Sequence, residues 1–229
     1  MSGPLVSVII PAFNEEDSIG DVLTQLRRLI RSSSFSCEVI VVDDGSTDGT
    51  KDIASRNGAL VLCNGRNHGK GFALRRGFKQ ARGDIIVTLD ADGSHDAKDI
   101  QRLVSPILSG ADIVLGSRFI GAQIVNTKKL HVFGNTLINF LILLMTGKYV
   151  TDSQTGFRAM KSKIVKELTL ASEGYQVETE MTVKILRNGF IMREVPIIAR
   201  KRAGGNSHVN PLSDGMKILR AILKSSISA

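Results

Sequence analysis

Tryptophan is missing from this 229-residue chain, and nine Phe with two Tyr are all its aromatics. Without basic residues interleaved with aromatics there is no stacking surface for bases, so a nucleic-acid partner is set aside. The charge still has to be met: 30 Lys and Arg against 22 Asp and Glu leave +8, which calls for an anionic partner such as a nucleotide or a phospholipid. Cysteine is nearly absent as well. Cys37 and Cys63 have neither C-x-x-C spacing nor a neighbouring His cluster, which excludes a zinc module and a disulfide framework; both are read as small buried apolar residues in a reducing, cytosolic setting. No basic, apolar and small-residue succession of the signal-peptide kind opens the chain. The longest apolar segment, residues 132–145, is interrupted by Asn135, Thr136 and Asn139 and falls short of the roughly 18 residues that suggest a membrane span.

What is present is ordinary globular material, 42% hydrophobic and 23% charged, long enough to bury roughly 70–75% of the unfolded surface. Its most telling feature is Asp90-Ala91-Asp92, which directly follows the apolar run 85–89. Two carboxylates two residues apart at a strand's carboxyl end suit a hard divalent cation completed by water and substrate phosphates. A lone D-x-D is commonly an acidic surface turn, but this one has company. The run 39–42 ends in Asp43-Asp44-Gly45-Ser46-Thr47-Asp48, and the run 6–10 ends in Pro11-Ala12-Phe13-Asn14-Glu15. Parallel strands bring all three turns to one edge, where ligands of open α/β sheets bind. So acidic a pocket admits a nucleotide diphosphate only with Mg2+ or Mn2+ between them.

Helical periodicity at Ile19, Val22, Leu23, Leu26, Leu29 and Ile30, capped by Asp17 or Ser18, alternates with these strands. A short helix at 51–56, a strand at 59–62, a helix at 72–81, another at 100–108 and a strand at 113–115 continue the pattern. The result is an α/β fold with a mostly parallel sheet. Beyond it come a helix near 130–145, a turn at 151–156, helices near 162–170 and 177–188, and a strand at 191–198. A flexible loop at 203–207 and a last helix at 211–229 close the chain. Gly65-Arg66-Asn67-His68-Gly69-Lys70-Gly71 has neither Walker spacing nor its Ser or Thr, and no G-x-G-x-x-G follows the first strand, so P-loop and dinucleotide folds are excluded. An ordinary helix-entry loop is the plain alternative there.

Residues 8–15 (VIIPAFNE), 41–50 (VVDDGSTDGT), 90–95 (DADGSH), 116–118 (GSR), 152–158 (DSQTGFR) and 174–181 (GYQVETEM) together resemble the family 2 glycosyltransferases of GT-A fold, in the right order. Within that family the chain is most similar to dolichyl- and polyprenyl-phosphate sugar synthases. The resemblance implies one GT-A glycosyltransferase domain over 1–229, with a nucleotide-sugar half at 1–120 and an acceptor-facing half at 121–210. It implies inverting transfer of a hexose to dolichyl or polyprenyl phosphate, from GDP-mannose or from UDP-glucose or UDP-N-acetylglucosamine. It also implies peripheral attachment to the cytosolic face of a membrane, with a membrane-anchoring partner, a naturally soluble form or a shortened chain all open.

Carried onto this sequence, the resemblance gives Pro11, Phe13, Glu15, Asp43 and Asp44 the donor's base and ribose, with Asn67, Lys70 and Arg202 completing the nucleotide-sugar site. Asp92 becomes the direct metal ligand and Asp90 lies near the ribose and a metal-bound water. Ser94, where many mannose synthases have Gln, joins the metal group. Arg118, Lys128, Lys129, His131 and Ser207 form the acceptor side, with His208 in place of a usual Lys. Asp92, Asp152 and Arg118 carry the catalytic assignment, Asp152 organising an acceptor that is already an anionic nucleophile. Glu178 and Glu180 either line the sugar pocket or are solvated. The helix at 132–145 is either a core helix or an interfacial one delivering the lipid.

Overall fold

The computed structural model describes residues 3–121 and 129–200, and side chains outside 129–131. Lys128, Arg202, Ser207 and the expected helix at 211–229 lie outside the described residues, as do the side chains of Lys129 and His131.

Among the described residues, seven strands form one sheet in the order β3-β2-β1-β4-β6-β5-β7. The apolar runs supply β1 (Leu5–Ala12), β2 (Ser36–Asp43), β3 (Leu60–Cys63) and β4 (Ile85–Thr88), all parallel. Strand β5 (Ile113–Ser117) pairs in parallel with β7 (Met192–Pro196). Between β4 and β5 runs β6 (Arg158–Lys161), antiparallel to both. The sequence did not announce this strand, because Arg-Ala-Met-Lys has no apolar run and its first residue is a cation. Register aligns Ala12 with Asp43 and Ile9 with Thr88, so the turns after β1, β2 and β4 open on the same edge.

Side-chain alternation splits the core in two. Val8, Ile10 and Val41 face α1 (Glu16–Ser32), α2 (Thr50–Arg56) and α4 (Ile100–Leu108). Ile9, Ile40 and Val42 face α3 (Lys70–Gln80), α5 (Lys129–Thr146), α6 (Ser162–Glu167) and α7 (Val177–Arg187). The periodic leucines of α1 are buried as expected, but the helix begins at Glu16, ahead of Asp17 and Ser18, and neither caps it. The cysteine expectation fails at Cys63, which is exposed at the end of β3. Cys37 is half-buried, and burial pushes its thiol up to about 11.

Candidate active site

The first two turns are laced together before any ligand enters. Asn14, held at φ 54°, accepts from Thr47 N at 2.8 Å and donates its own N–H to Ser46 Oγ at 3.0 Å, while Glu15 N donates to Thr50 Oγ1 at 2.8 Å. Pro11, Phe13 and Glu15 are half-buried along this rim, and Asp43 is buried with Oδ1 accepting from Ser46 N. Asp44 has a task that sequence reasoning missed. Its carboxylate accepts from Asn64 Nδ2 at 2.6 Å and from the His68 and Gly69 N–H groups at 3.0 and 2.7 Å, which anchors the Gly-rich loop. Asn67 is exposed on that loop, its backbone against Gly45, whose φ of 80° and crowded Cα position leave no room for a side chain. The first N–H groups of α3 donate to Glu173 O, so the helix start is no open phosphate cradle.

Lys70 is the hub of the site. Its Nζ lies 2.6 Å from Asp90 Oδ1 and 2.7 Å from Glu178 Oε1, with only 13% of the side chain exposed. Burial alone would lower its pKa, but the two carboxylates prevail and raise it. For Asp90, burial pushes upward, yet Lys70 and then His95 hold the carboxyl well below the usual range. His95 Nε2 stands 3.5 Å from Asp90 Oδ2, its buried ring stacked on Phe157. Asp92 Oδ1 accepts from Ser94 N at 2.9 Å, and Ser94 O accepts from Arg200 N at 2.8 Å, so Ser94 enters through its backbone.

The turn at 151–156 closes onto this corner. A Cβ at Gly156 would lie 2.5 and 2.6 Å from the Asp90 carboxylate oxygens and 2.7 Å from Lys70 Nζ, and Gly156 O accepts from Thr88 Oγ1 at 2.7 Å. Four residues earlier, fully buried Asp152 grips Arg118: Nε to Oδ2 at 2.7 Å, Nη2 to Oδ1 at 2.8 Å, and the Arg118 N–H to Oδ2 at 3.1 Å. Burial disfavours the charged guanidinium, but Asp152 outweighs it, with Asp90 and Asp92 adding to the upward shift. Arg118 therefore stands in the field of the Asp90–Asp92 turn.

Residues beyond the sequence reading hold the Asp152 turn. Glu194 on β7 accepts from Thr151 N and Oγ1 and from Asp152 N at 2.8–3.2 Å, and Asn135 and Asn139 of α5 donate to Thr151 O. Fully buried Arg158 donates to the carbonyls of Ser153, Thr155 and Glu178. No sequence signal separates these from ordinary polar residues, since they act largely on backbone atoms, which leave no mark in the sequence. Only Arg158 lay within a motif, DSQTGFR. The two glutamates of α7 divide: Glu178 reaches Lys70, whereas Glu180 accepts from Ala171 N, Ser172 N and Lys184 and holds a loop.

Asp90 and Asp92 fit a divalent cation of one kind. Among the described residues no group of three His, Cys, Asp or Glu is gathered to hold a metal. Two carboxylates on one turn suit a Mg2+ or Mn2+ that keeps waters and takes its remaining oxygens from a diphosphate.

Residues 7–169 match the family described as glycosyl transferase family 2, well over half of the chain. The chain is a family 2 glycosyltransferase. This glycosyltransferase is similar to glycosyltransferase AglJ of Haloferax volcanii, 32% identical over 92% of the chain and 68% of that protein. It is 30% identical to the dolichol-phosphate mannosyltransferase of Pyrococcus furiosus, over 88% of the chain and 58% of that protein. It is 34% identical to the undecaprenyl-phosphate 4-deoxy-4-formamido-L-arabinose transferase of Edwardsiella ictaluri, over 88% and 62%. Among solved structures it matches glucosyl-3-phosphoglycerate synthase from Mycobacterium tuberculosis, in complex with Mn2+, UDP and glucosyl-3-phosphoglycerate. The TM-score is 0.78 at 25% identity, covering 98% of this chain and 80% of that one. The glycosyltransferase has the GT-A fold, with its mostly parallel seven-stranded sheet flanked by helices on both faces.

Proposed function

We propose that this glycosyltransferase moves a hexose, with inversion, from a nucleoside diphosphate sugar to a polyprenyl or dolichyl phosphate. The observation that carries the reading is the sharing of one loop by two anion-handling groups: Gly156 packs on Asp90 and Lys70, while Asp152 grips Arg118. The names of the Pyrococcus and Edwardsiella relatives support a polyprenyl-type phosphate as acceptor; the Mycobacterium neighbour supports a nucleotide with Mn2+ and offers phosphoglycerate as the other acceptor class.

In this reading the diphosphate lies at the Asp90–Asp92 turn, with Pro11, Phe13, Glu15 and Asp43 along the nucleoside. Asp92 would hold a divalent cation directly, with Asp90 beside it, and the cation would neutralise charge on the departing diphosphate. Lys70 offsets Asp90 and keeps its carboxylate in one orientation. Arg118 uses two of its five side-chain donors on Asp152, which leaves three for an acceptor phosphate and fixes the plane in which they point. A phosphate oxygen attacks the anomeric carbon as the bond from that carbon to the diphosphate oxygen breaks. The acceptor is already anionic, so no general base is needed; positioning and charge stabilisation supply the rate. Reaction on a membrane-held acceptor makes the protein peripheral to the bilayer.

The test is a panel of radiolabelled GDP- and UDP-sugars, each offered a short-chain polyprenyl phosphate or 3-phosphoglycerate with Mn2+ or Mg2+. Label should enter the lipid with one donor. Label in phosphoglycerate alone would replace the acceptor, and label in neither would remove the function.

A further inference from the structure

Helix α5 is inside out for a core helix. Its inward face carries Asn135, Asn139 and Ile142, 6%, 3% and 0% exposed, while Phe133, Leu137, Phe140 and Leu144 are 69%, 50%, 53% and 67% exposed. Their spacings of four, three and four residues put all four on one stripe. The orientation is locked. Asn135 and Asn139 donate to Thr151 O at 3.1 and 2.7 Å, and Asn139 Oδ1 accepts from Ser153 N at 3.2 Å, so rolling the stripe inward would break three bonds to the Asp152 turn. Past the helix end Tyr149 is 69% exposed and shares a groove with Ile191.

Charge selects the occupant. From Ile113 to Thr151 the sequence holds no Asp or Glu, though the chain has 22 of them, and the same stretch contains Arg118, Lys128, Lys129 and Lys148. A second copy would set cations against cations in either helix direction, with no acid to pair them. An anionic surface with an apolar interior matches both features: aromatics and leucines enter the acyl boundary and lysines meet headgroups. No helix among the described residues is long and apolar enough to cross a membrane, so contact of this kind lies in the plane of the surface.

We infer that α5 docks this protein on an anionic lipid bilayer through the Phe133–Leu137–Phe140–Leu144 stripe. Because the other face of α5 holds the carbonyl beside Asp152, docking sets the Arg118–Asp152 pair next to the surface. This deepens the proposed lipid acceptor and rests on that reading, but its test needs no turnover.

The experiment is flotation of the full chain with phosphatidylcholine vesicles, with and without phosphatidylglycerol, at low and high salt. The wild type floats with anionic vesicles and is released by salt. Phe140→Gln with Leu144→Gln, both at exposed positions, stays folded by thermal melt and loses partitioning about tenfold or more, the transfer of roughly one Phe or Leu from water. Phe133→Gln alone gives a smaller loss in the same direction. Wild type that stays behind under all conditions overturns the inference, and so do folded variants that float as well as wild type. Absence of flotation together with a dimer that the variants turn into monomers assigns the stripe to a second copy. A chain that floats but transfers no sugar to a short polyprenyl phosphate refutes the function and leaves the docking surface standing.

Discussion

Lys70→Met tests the site at its hub. The side chain keeps its length but loses the ammonium that lies within 2.7 Å of two carboxylates, Asp90 and Glu178. The variant leaves Glu178, 5% exposed, and Asp90, 25% exposed, facing each other without the ammonium between them, with His95 still beside Asp90. Breaking a buried pair by removing one member costs about 3–5 kcal/mol, most of it the desolvated charge left behind. For a chain of this size that is a fall in Tm of roughly 6–20 °C. The pH dependence makes the test specific. In the wild type Asp90 is depressed, so its contribution is present above the unfolded value of about 3.9 and lost as pH falls through the folded value. Lys70 is raised, so its contribution is present below about 10.4 and lost as pH rises through the folded value. The wild-type pair is therefore flat across neutrality. In the variant two carboxylates face each other with no ammonium between them, so the deficit shrinks as pH falls from neutrality toward the unfolded carboxylate value of about 3.9. Thermal melts across that range for both proteins are the assay. A deficit under about 1 kcal/mol, or one that does not move with pH, would refute the coupling of Lys70 to both acids.

Asp92→Asn should remove sugar transfer while leaving Tm within about 2 °C, because in the proposed function the carboxylate serves the diphosphate rather than the core; wild-type turnover in the variant under saturating Mn2+ would take Asp92 out of the mechanism, as would activity surviving rigorous chelation. Gly156→Ala should lower Tm and transfer together, since its methyl would fall within 2.7 Å of Asp90 and Lys70, whereas Gly134→Ala in the open middle of α5 should stabilise by about 0.5–1 kcal/mol; equal melts for the two would contradict the close approach. Asp152→Asn should weaken the fork on Arg118 and raise the acceptor's KM more than the donor's, and a rise confined to the donor would reverse the assignment of that pair.

The acid-lined edge of the sheet was legible because its strands are apolar runs that end in acid. β1, β2 and β4 can be read from 6–10, 39–42 and 85–89, and parallel pairing brings their ends to one edge, whereas their order in the sheet emerges only from the structure. Antiparallel β6 was not legible, since Arg158 is buried by hydrogen bonds to three carbonyls instead of by hydrophobicity. Glu194, Asn135 and Asn139 were hidden for a related reason: each satisfies backbone groups of the Asp152 turn, and nothing in local spacing records such a partner. Glu178 and Glu180 sit two residues apart on one helix, and only packing decides that one meets Lys70 and the other a loop. The segment 132–145 was readable as apolar, with a core and an interfacial placement both open, and its sequence could not decide because its asparagines, normally the solvent face, are among the residues it buries.

In the proposed reaction a phosphate oxygen is the nucleophile, held by Arg118, which Asp152 orients. The direct measurement offers the same short polyprenyl chain as its phosphate and as its free alcohol, with one labelled nucleotide sugar and Mn2+, and follows label into lipid. Label is expected in the phosphate alone and is lost in Arg118→Ala. Equal labelling of the alcohol, or phosphate labelling undiminished in Arg118→Ala, would contradict the proposed reaction.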